Sequence, residues 1–201
     1  MVKTDFDKKT IFLFDEINMD EILEAIKFIV DINDKMKEIN SYDLPEKPTE
    51  RESVKDFLSD EKWRLLPTRF YLNSRGGFIT PLWGLIDMLY SNAMEVQTTC
   101  VGTAYSSAAM ILLCGSQRAM TKDSTILLHG AYTSSDLYGN RAYIDSSLKC
   151  LEEDDRKIME LILKRTNITK DLYMSKTNGG STDWLITAKE ALKYGIVNII
   201  L

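Results

Sequence analysis

A chain of 201 residues is one domain's length at about 150 residues per domain, and it buries roughly 70% of its unfolded surface without staples. Hydrophobic residues at 44% and charged residues at 27% exclude wholesale disorder and fibrous repeats. A net charge of −5 and a pI near 5.1 argue against a general nucleic-acid-binding surface. Cys100, Cys114 and Cys150 are odd in number and widely spaced, the usage of a reducing compartment rather than of a secreted disulfide scaffold. The first residues, Met1-Val2-Lys3-Thr4-Asp5, are too charged for a signal peptide and no apolar core follows them. The expected setting is the cytoplasm, with no membrane partner.

Along the chain, Thr10 to Phe14 is a short β-favouring run, with nine residues ahead of it. Met19 to about Ile39 carries Ile22, Ile26, Ile29 and Val30 on one helical face. From Asp43 to Arg64 twelve of 22 residues are charged, seven acidic and five basic, which reads as a solvated surface excursion with Val54, Phe57 and Leu58 available for a small docking helix. Arg69 to Asn73 is a strand ending in Ser74-Arg75-Gly76-Gly77. Thr80 then stands as an N-cap with Pro81 at the first helical position, opening a helix to about Tyr90.

Val96 to Gln117 holds no charged residue, which invites comparison with a membrane span of about 20 apolar residues. Its threonines and serines, and Gly102 dividing it, read instead as a buried strand over 95–101 followed by a buried helix starting near Ser106. Short strands are expected at Arg118–Thr121 and Thr125–His129, a polar break over 132–143, and a long mixed-charge helix from Ile144 to Thr166. Thr187-Ala188-Lys189-Glu190 is a capping box, Gly195 a C′ glycine, and Val197–Leu201 a last strand. Strands alternating with helices predict an α/β fold with a largely parallel sheet, in a single domain over 1–201.

The chemistry narrows on the single histidine, His129. One histidine and three dispersed cysteines supply no usual metal-ligand cluster. There is no Walker phosphate loop and no GxGxxG after a strand, so neither metal nor cofactor is expected. Hydrolysis by an activated serine fits better, because it needs a hydroxyl, an imidazole, an orienting carboxylate and N–H groups for an oxyanion. Ser106 lies at a strand-to-helix junction among small residues, where first-turn N–H groups are unpaired. His129 ends an apolar strand, where parallel α/β sheets place their sites. Asp183 stands in a polar loop before the final helix. Each also has an ordinary structural reading: a Ser-Ser helix cap, a structural strand-end histidine, a loop-terminating aspartate. The order Ser…His…Asp differs from those of the commonest serine-hydrolase folds, and geometry rather than spacing defines a triad. The residues alone carry the reading as far as a serine hydrolase.

At these positions the sequence resembles the ClpP family, the proteolytic subunit of the ATP-dependent caseinolytic protease. Tyr71-Leu72-Asn73-Ser74-Arg75-Gly76-Gly77 resembles the family's YINSPGG, and Cys100-Val101-Gly102-Thr103-Ala104-Tyr105-Ser106 its CxGxAAS. Ile126-Leu127-Leu128-His129 resembles its MIHQP segment, Asp183 through Ala191 its DxxxSAxEA, and Tyr194-Gly195-Ile196-Val197 its YGLID. The resemblance implies a spiral of ββα units with a protruding handle, strand plus long helix, over 132–166. It makes Ser106 the nucleophile, His129 the general base and Asp183 the orienting acid of a serine endopeptidase. The N–H groups of Gly77 and Ser107 would form the oxyanion hole, and Gly76 and Gly77 would line the substrate strand. It further implies stacked heptameric rings (a homo-oligomeric tetradecamer) around the sites, fed unfolded polypeptide by an AAA+ unfoldase, with Tyr71 in the docking pocket. The rival readings are a catalytically silent ring subunit or scaffold and an acyl-CoA hydratase of the same superfamily, which accounts for Gly77 but leaves Ser106, His129 and Asp183 without a purpose.

Departures from the pattern are Arg75 for proline, Ser107 for methionine, Ala108 for glycine and Gly130-Ala131 for the Gln-Pro after the histidine. The short lead before the first strand and the 43–64 insertion predict altered unfoldase docking. Deleting residues 43–64 is therefore expected to change protein degradation measured with and without candidate unfoldases; unchanged rates in both assays refute that expectation.

Overall fold

The chain is described by a computed structural model over residues 1–41, 59–91, 95–132 and 139–201. The expected docking helix around Val54, Phe57 and Leu58, and the strand part of the handle, lie mostly outside the described residues.

Eight strands form one sheet among the described residues. They are β1 (Val2–Asp5), β2 (Thr10–Ile17), β3 (Thr68–Gly77), β4 (Val96–Tyr105), β5 (Gln117–Met120), β6 (Thr125–Leu128), β7 (Trp184–Thr187) and β8 (Ile199–Ile200). The main path runs β1-β2-β3-β4-β5-β8, parallel from β2 onward, while β6 pairs with β4 and β7 with β6. The helices are α1 (Met19–Ser41), α2 (Ile79–Ser91), α3 (Ser107–Cys114), α4 (Arg141–Arg165), α5 (Lys170–Lys176) and α6 (Ala188–Lys193); a further helical turn covers 59–64. The mixed α/β architecture is the one the ClpP-like pattern implies.

Strands β2 and β3 alternate because one face is buried: Ile11, Leu13, Phe70 and Leu72 point into the core with no exposed surface. Helix α3 has no polar face, and all eight of its residues are buried. It packs on β3 and β4 and against α2 and α4, which is why the uncharged stretch needs no membrane; no described helix is long and apolar enough to cross one.

One buried cation ties three helix ends together. Arg118 sends Nη1 to the Gly115 carbonyl at 3.1 Å, Nη2 to those of Arg165 and Gly195 at 3.1 and 2.9 Å, and Nε to that of Ile196 at 2.7 Å. Gly115, Arg165 and Gly195 end α3, α4 and α6, where unpaired carbonyls carry partial negative charge. Those dipoles serve as its counter-charge. Gly195, at φ +68, takes the left-handed C′ position, and Glu190 accepts from both the N–H and the hydroxyl of Thr187 at 2.9 and 2.8 Å, as the capping-box spacing requires.

Three expectations are corrected. The chain enters the sheet before Thr10, because β1 pairs antiparallel with β2 from Val2↔Leu13 to Asp5↔Thr10; its charged sequence hid a strand defined by pairing. The helix after Gly77 starts at Ile79, so Pro81 is its third residue rather than its first. Phe78 still donates to the Ile17 carbonyl at 2.9 Å, so extended chain passes straight into helix, and a first-turn N–H has no helical acceptor for proline to lose. Helix α4 begins at Arg141, earlier than Ile144, because the Asn140 side chain accepts from Tyr143 N–H at 3.0 Å.

Lys9 is a buried cation with no carboxylate partner among the described residues. Its ammonium donates to the Arg64 and Leu66 carbonyls at 3.2 and 3.1 Å and lies 4.2 Å from the Trp63 ring centroid. Burial, then the nearby Arg64 charge, pulls its pKa down to about 8. Between that value and its ordinary 10.5 the unfolded chain binds more protons at this site, so the site's contribution to stability rises with pH across that window and is flat below it. Relative to Lys9→Met, the wild type is expected to gain stability from pH 8 to 10.5 in urea titrations; a constant difference contradicts this.

Candidate active site

The site begins where β4 changes partners. Its first half pairs with β5, from Gln97 to Cys100, and its second with β6, from Thr103 to Tyr105. Gly102 lies between, at φ +101, where a Cβ would come 2.7 Å from Asn73 Oδ1. That same oxygen accepts from the N–H and hydroxyl of Thr103, both at 3.2 Å.

Beyond Tyr105 the chain turns sharply into α3 through Ser106, at φ 55 and ψ −124. A non-glycine residue held there carries strain of order 1–3 kcal/mol. Its backbone is fixed on both sides: the N–H donates to the Leu127 carbonyl at 2.9 Å, and the carbonyl accepts from Ala109 and Met110 at 2.9 and 3.3 Å. The hydroxyl makes no cap bond and no hydrogen bond among the described residues.

The end of β3 is pressed against this turn. A Cβ on Gly76, at φ +91, would fall 2.6 Å from the Tyr105 carbonyl and 2.7 Å from Ser106 Cβ, and one on Gly77 would strike the Ile17 carbonyl. Only glycine permits both contacts. Buried Ser74 holds the bend, its hydroxyl donating to the Asp15 carbonyl and accepting from Gly76 N–H at 3.1 Å. Ser107 donates its hydroxyl to the Gly77 carbonyl at 3.2 Å, while its own N–H opens α3 ahead of any helical acceptor.

His129 follows β6, half-buried, with its ring 5.1 Å from that of Tyr132. Nδ1 lies against the Gly130 carbonyl oxygen. Ser106, Ser107, Gly77 and His129 all line one cavity of about 440 Å³ whose walls are otherwise mainly apolar, among them Phe78, Met110 and Ile158. Asp183 does not line it. β6 and β7 run antiparallel and their last pair is Leu128↔Trp184, so His129 and Asp183 are the next residue on each strand; the carboxylate is exposed, with no hydrogen bond or ion pair among the described residues. Tyr71 is elsewhere, stacked on Phe12 at 5.3 Å, with Phe14 beyond it at 6.2 Å from Phe12.

A second cleft of about 630 Å³ meets the first at Glu16, Gly77 and Tyr132, and brings Arg75 and Asp15 to its wall. Glu16 and Tyr132 were not anticipated. β2 is read from its apolar run, which stops short of Glu16, and the bulge setting Asp15 alone against Ser74 and Arg75 has no sequence signal. No group of histidine, cysteine and carboxylate side chains able to hold a metal occurs among the described residues.

This is an α/β fold with a strained strand-to-helix serine and a histidine opening on one cavity. The family model for Clp protease matches residues 59–201, and the chain belongs to the Clp protease family. It is similar to ATP-dependent Clp protease proteolytic subunit 1 of Corynebacterium glutamicum, 35% identical over 133 residues, 64% of this chain and 61% of that protein. It is also similar to proteolytic subunit 2 of Mycobacterium tuberculosis, 31% identical over 134 residues, 65% and 61% of the two. The chain spans about three fifths of the length of these relatives.

The strain at Ser106 predicts a signature. Ser106→Gly relieves the positive φ and is expected to raise stability by about 1 kcal/mol over Ser106→Ala, measured by urea denaturation; equal stabilities contradict the strained turn.

Proposed function

We propose that this chain is a serine endopeptidase subunit that hydrolyses peptide bonds of unfolded polypeptides. The observation carrying the reading is the strained Ser106 opening, together with His129, Gly77 and Ser107, on one apolar-walled cavity. Ser106 Oγ attacks the scissile carbonyl while His129 Nε2 takes its proton. The oxyanion is received by the N–H groups of Gly77 and Ser107, donors typically worth ~10²–10³ in rate each. Collapse of the intermediate breaks the C–N bond, His129 returns the proton to the leaving amine, and water then releases the acyl group by the same route reversed. Asp183, beside His129 at the end of the β6–β7 ladder, steadies the imidazolium. An extended substrate lies along Gly76 and Gly77.

In the same reading the subunits form stacked rings in the cytoplasm, an AAA+ unfoldase supplies substrate at the cost of ATP, and the cluster of exposed Phe12 and Phe14 with half-buried Tyr71 is the docking surface. A second reading, a silent ring subunit, is favoured by one observation, the exposed Asp183 carboxylate, which has no partner among the described residues.

A fluorophosphonate probe separates the two. The peptidase reading expects covalent labelling of Ser106, abolished in Ser106→Ala and slowed by about 10²–10⁴ in Asp183→Asn, followed by intact-protein mass spectrometry. An unlabelled wild type speaks for the silent subunit.

A further inference from the structure

The two residues after His129 are held from both sides. Ala131 donates its N–H to Oδ1 of Asp155, on α4, at 2.6 Å. Gly130 donates to the Gly180 carbonyl at 3.0 Å, and the Gly130 carbonyl is the group that meets His129 Nδ1. A Cβ on residue 130 would fall 2.8 Å from Asp155 Oδ1 and 2.9 Å from the Gly180 carbonyl, so residue 130 has no room for a side chain. The helix that supplies Asp155 is itself anchored one residue earlier, where Trp83 Nε1 donates to Asp154 Oδ1 at 2.9 Å. Asp155 has no part in the relay of Ser106, His129 and Asp183.

We propose that Asp155 is the positioning residue for His129: by accepting the Ala131 N–H it holds the Gly130 carbonyl against Nδ1, and so fixes the proton there. The catalytic consequence rests on the serine-peptidase reading. A neutral imidazole carries one ring proton, and the partner of one nitrogen decides which nitrogen holds it. A carbonyl only accepts, so Nδ1 must be the donor, and Nε2 is left bare to receive the Ser106 proton. The Asp183 carboxylate, also an acceptor, demands the same tautomer. The two play different parts, because the carbonyl sets the tautomer at rest and the carboxylate opposes the charge that appears on the imidazolium. The chain's own departures fit this arrangement. Proline at 131 has no N–H to offer Asp155, and a side chain at 130 would meet the Asp155 carboxylate.

His129 is the only histidine, so full-length protein labelled with ¹⁵N-histidine gives one pair of ring-nitrogen resonances, whose shifts report the tautomer. The wild type is expected to show Nδ1–H, and Asp183→Asn to keep it. Asp155→Ala and Ala131→Pro, which remove acceptor and donor separately, are each expected to shift the ring toward Nε2–H. Asp155→Asn retains an oxygen acceptor and is expected to restore the wild-type pattern. On a short fluorogenic peptide, Asp155→Ala should lower kcat about 10–100-fold with KM little changed. A wild-type ring protonated on Nε2, or ring shifts unmoved by either Asp155→Ala or Ala131→Pro, overturns the proposal. Tautomer shifts as expected with no fluorophosphonate labelling of Ser106 would instead leave the positioning role standing and remove the peptidase reading.

Discussion

The contact on which the site depends is the one between the end of β3 and the turn from β4 into α3. Backbone meets backbone there, at distances where residue 76 can carry no Cβ. The turn accommodates this by holding Ser106 in a conformation that serine avoids. The strain, of order 1–3 kcal/mol, is small beside what α3 contributes. Met110, Ile111, Leu112 and Leu113 are each at most 3% exposed, and full burial of such side chains is worth about 1.5–3 kcal/mol apiece. A fully buried helix immediately after the serine is therefore what lets the turn stay strained. It also keeps the first turn of the helix, whose Ser107 lines the cavity, from fraying into solvent.

Topology brings in the remaining groups. Because β4 gives its later half to β6, the end of β6 is delivered to the strand-to-helix turn, and the Leu127 carbonyl bonds Ser106 directly. The histidine two residues on then opens into the same cavity as the serine. The antiparallel return of β7 sets Asp183 beside that strand end. Ser106, His129 and Asp183 are far apart in sequence, yet each lies within two residues of a paired position in the β4-β6-β7 ladder.

Much of this was legible in the sequence, for reasons that differ by element. Helix α1 and strands β2 to β6 follow from hydrophobic periodicity, since each buries one face. Gly76, Gly77 and Gly195 mark places where a side chain or an ordinary φ is excluded, and Thr187 with Glu190 marks a helix start. The hidden elements are those defined by partners. β1 is polar and gains its identity from pairing with β2; β7, at Trp184-Leu185-Ile186-Thr187, is too short for its alternation to stand out from a loop; α5 starts on a Thr169 cap donated to by Leu172 at 3.2 Å, with only Tyr173 buried. The serine and histidine could be singled out by junction and strand-end logic. Glu16 and Asp155 could not, because neither spacing nor composition tells which carboxylate of a charged surface turns toward a site.

Asp183 adjoins the histidine by strand register and Asp155 through the Ala131 amide, and the surroundings of the two carboxylates differ. Asp183 is open to water, so its charge is well solvated and free to answer a positive charge nearby. Asp155 is half-buried, and one of its oxygens is committed to the Ala131 amide at 2.6 Å. Its charge also reaches Tyr173, whose hydroxyl is pushed up to about 12, chiefly by burial and then by that carboxylate. A carboxylate bound to a backbone amide can hold a peptide in place but cannot follow a proton, whereas one facing solvent can stabilise an imidazolium but fixes no geometry. In the proposed mechanism, orientation and charge compensation, which a single buried carboxylate can combine, are divided between a helix residue and a loop residue. That division makes the long helix a structural partner of the imidazole, since any shift of α4 that moves Asp155 also moves the carbonyl against which Nδ1 rests.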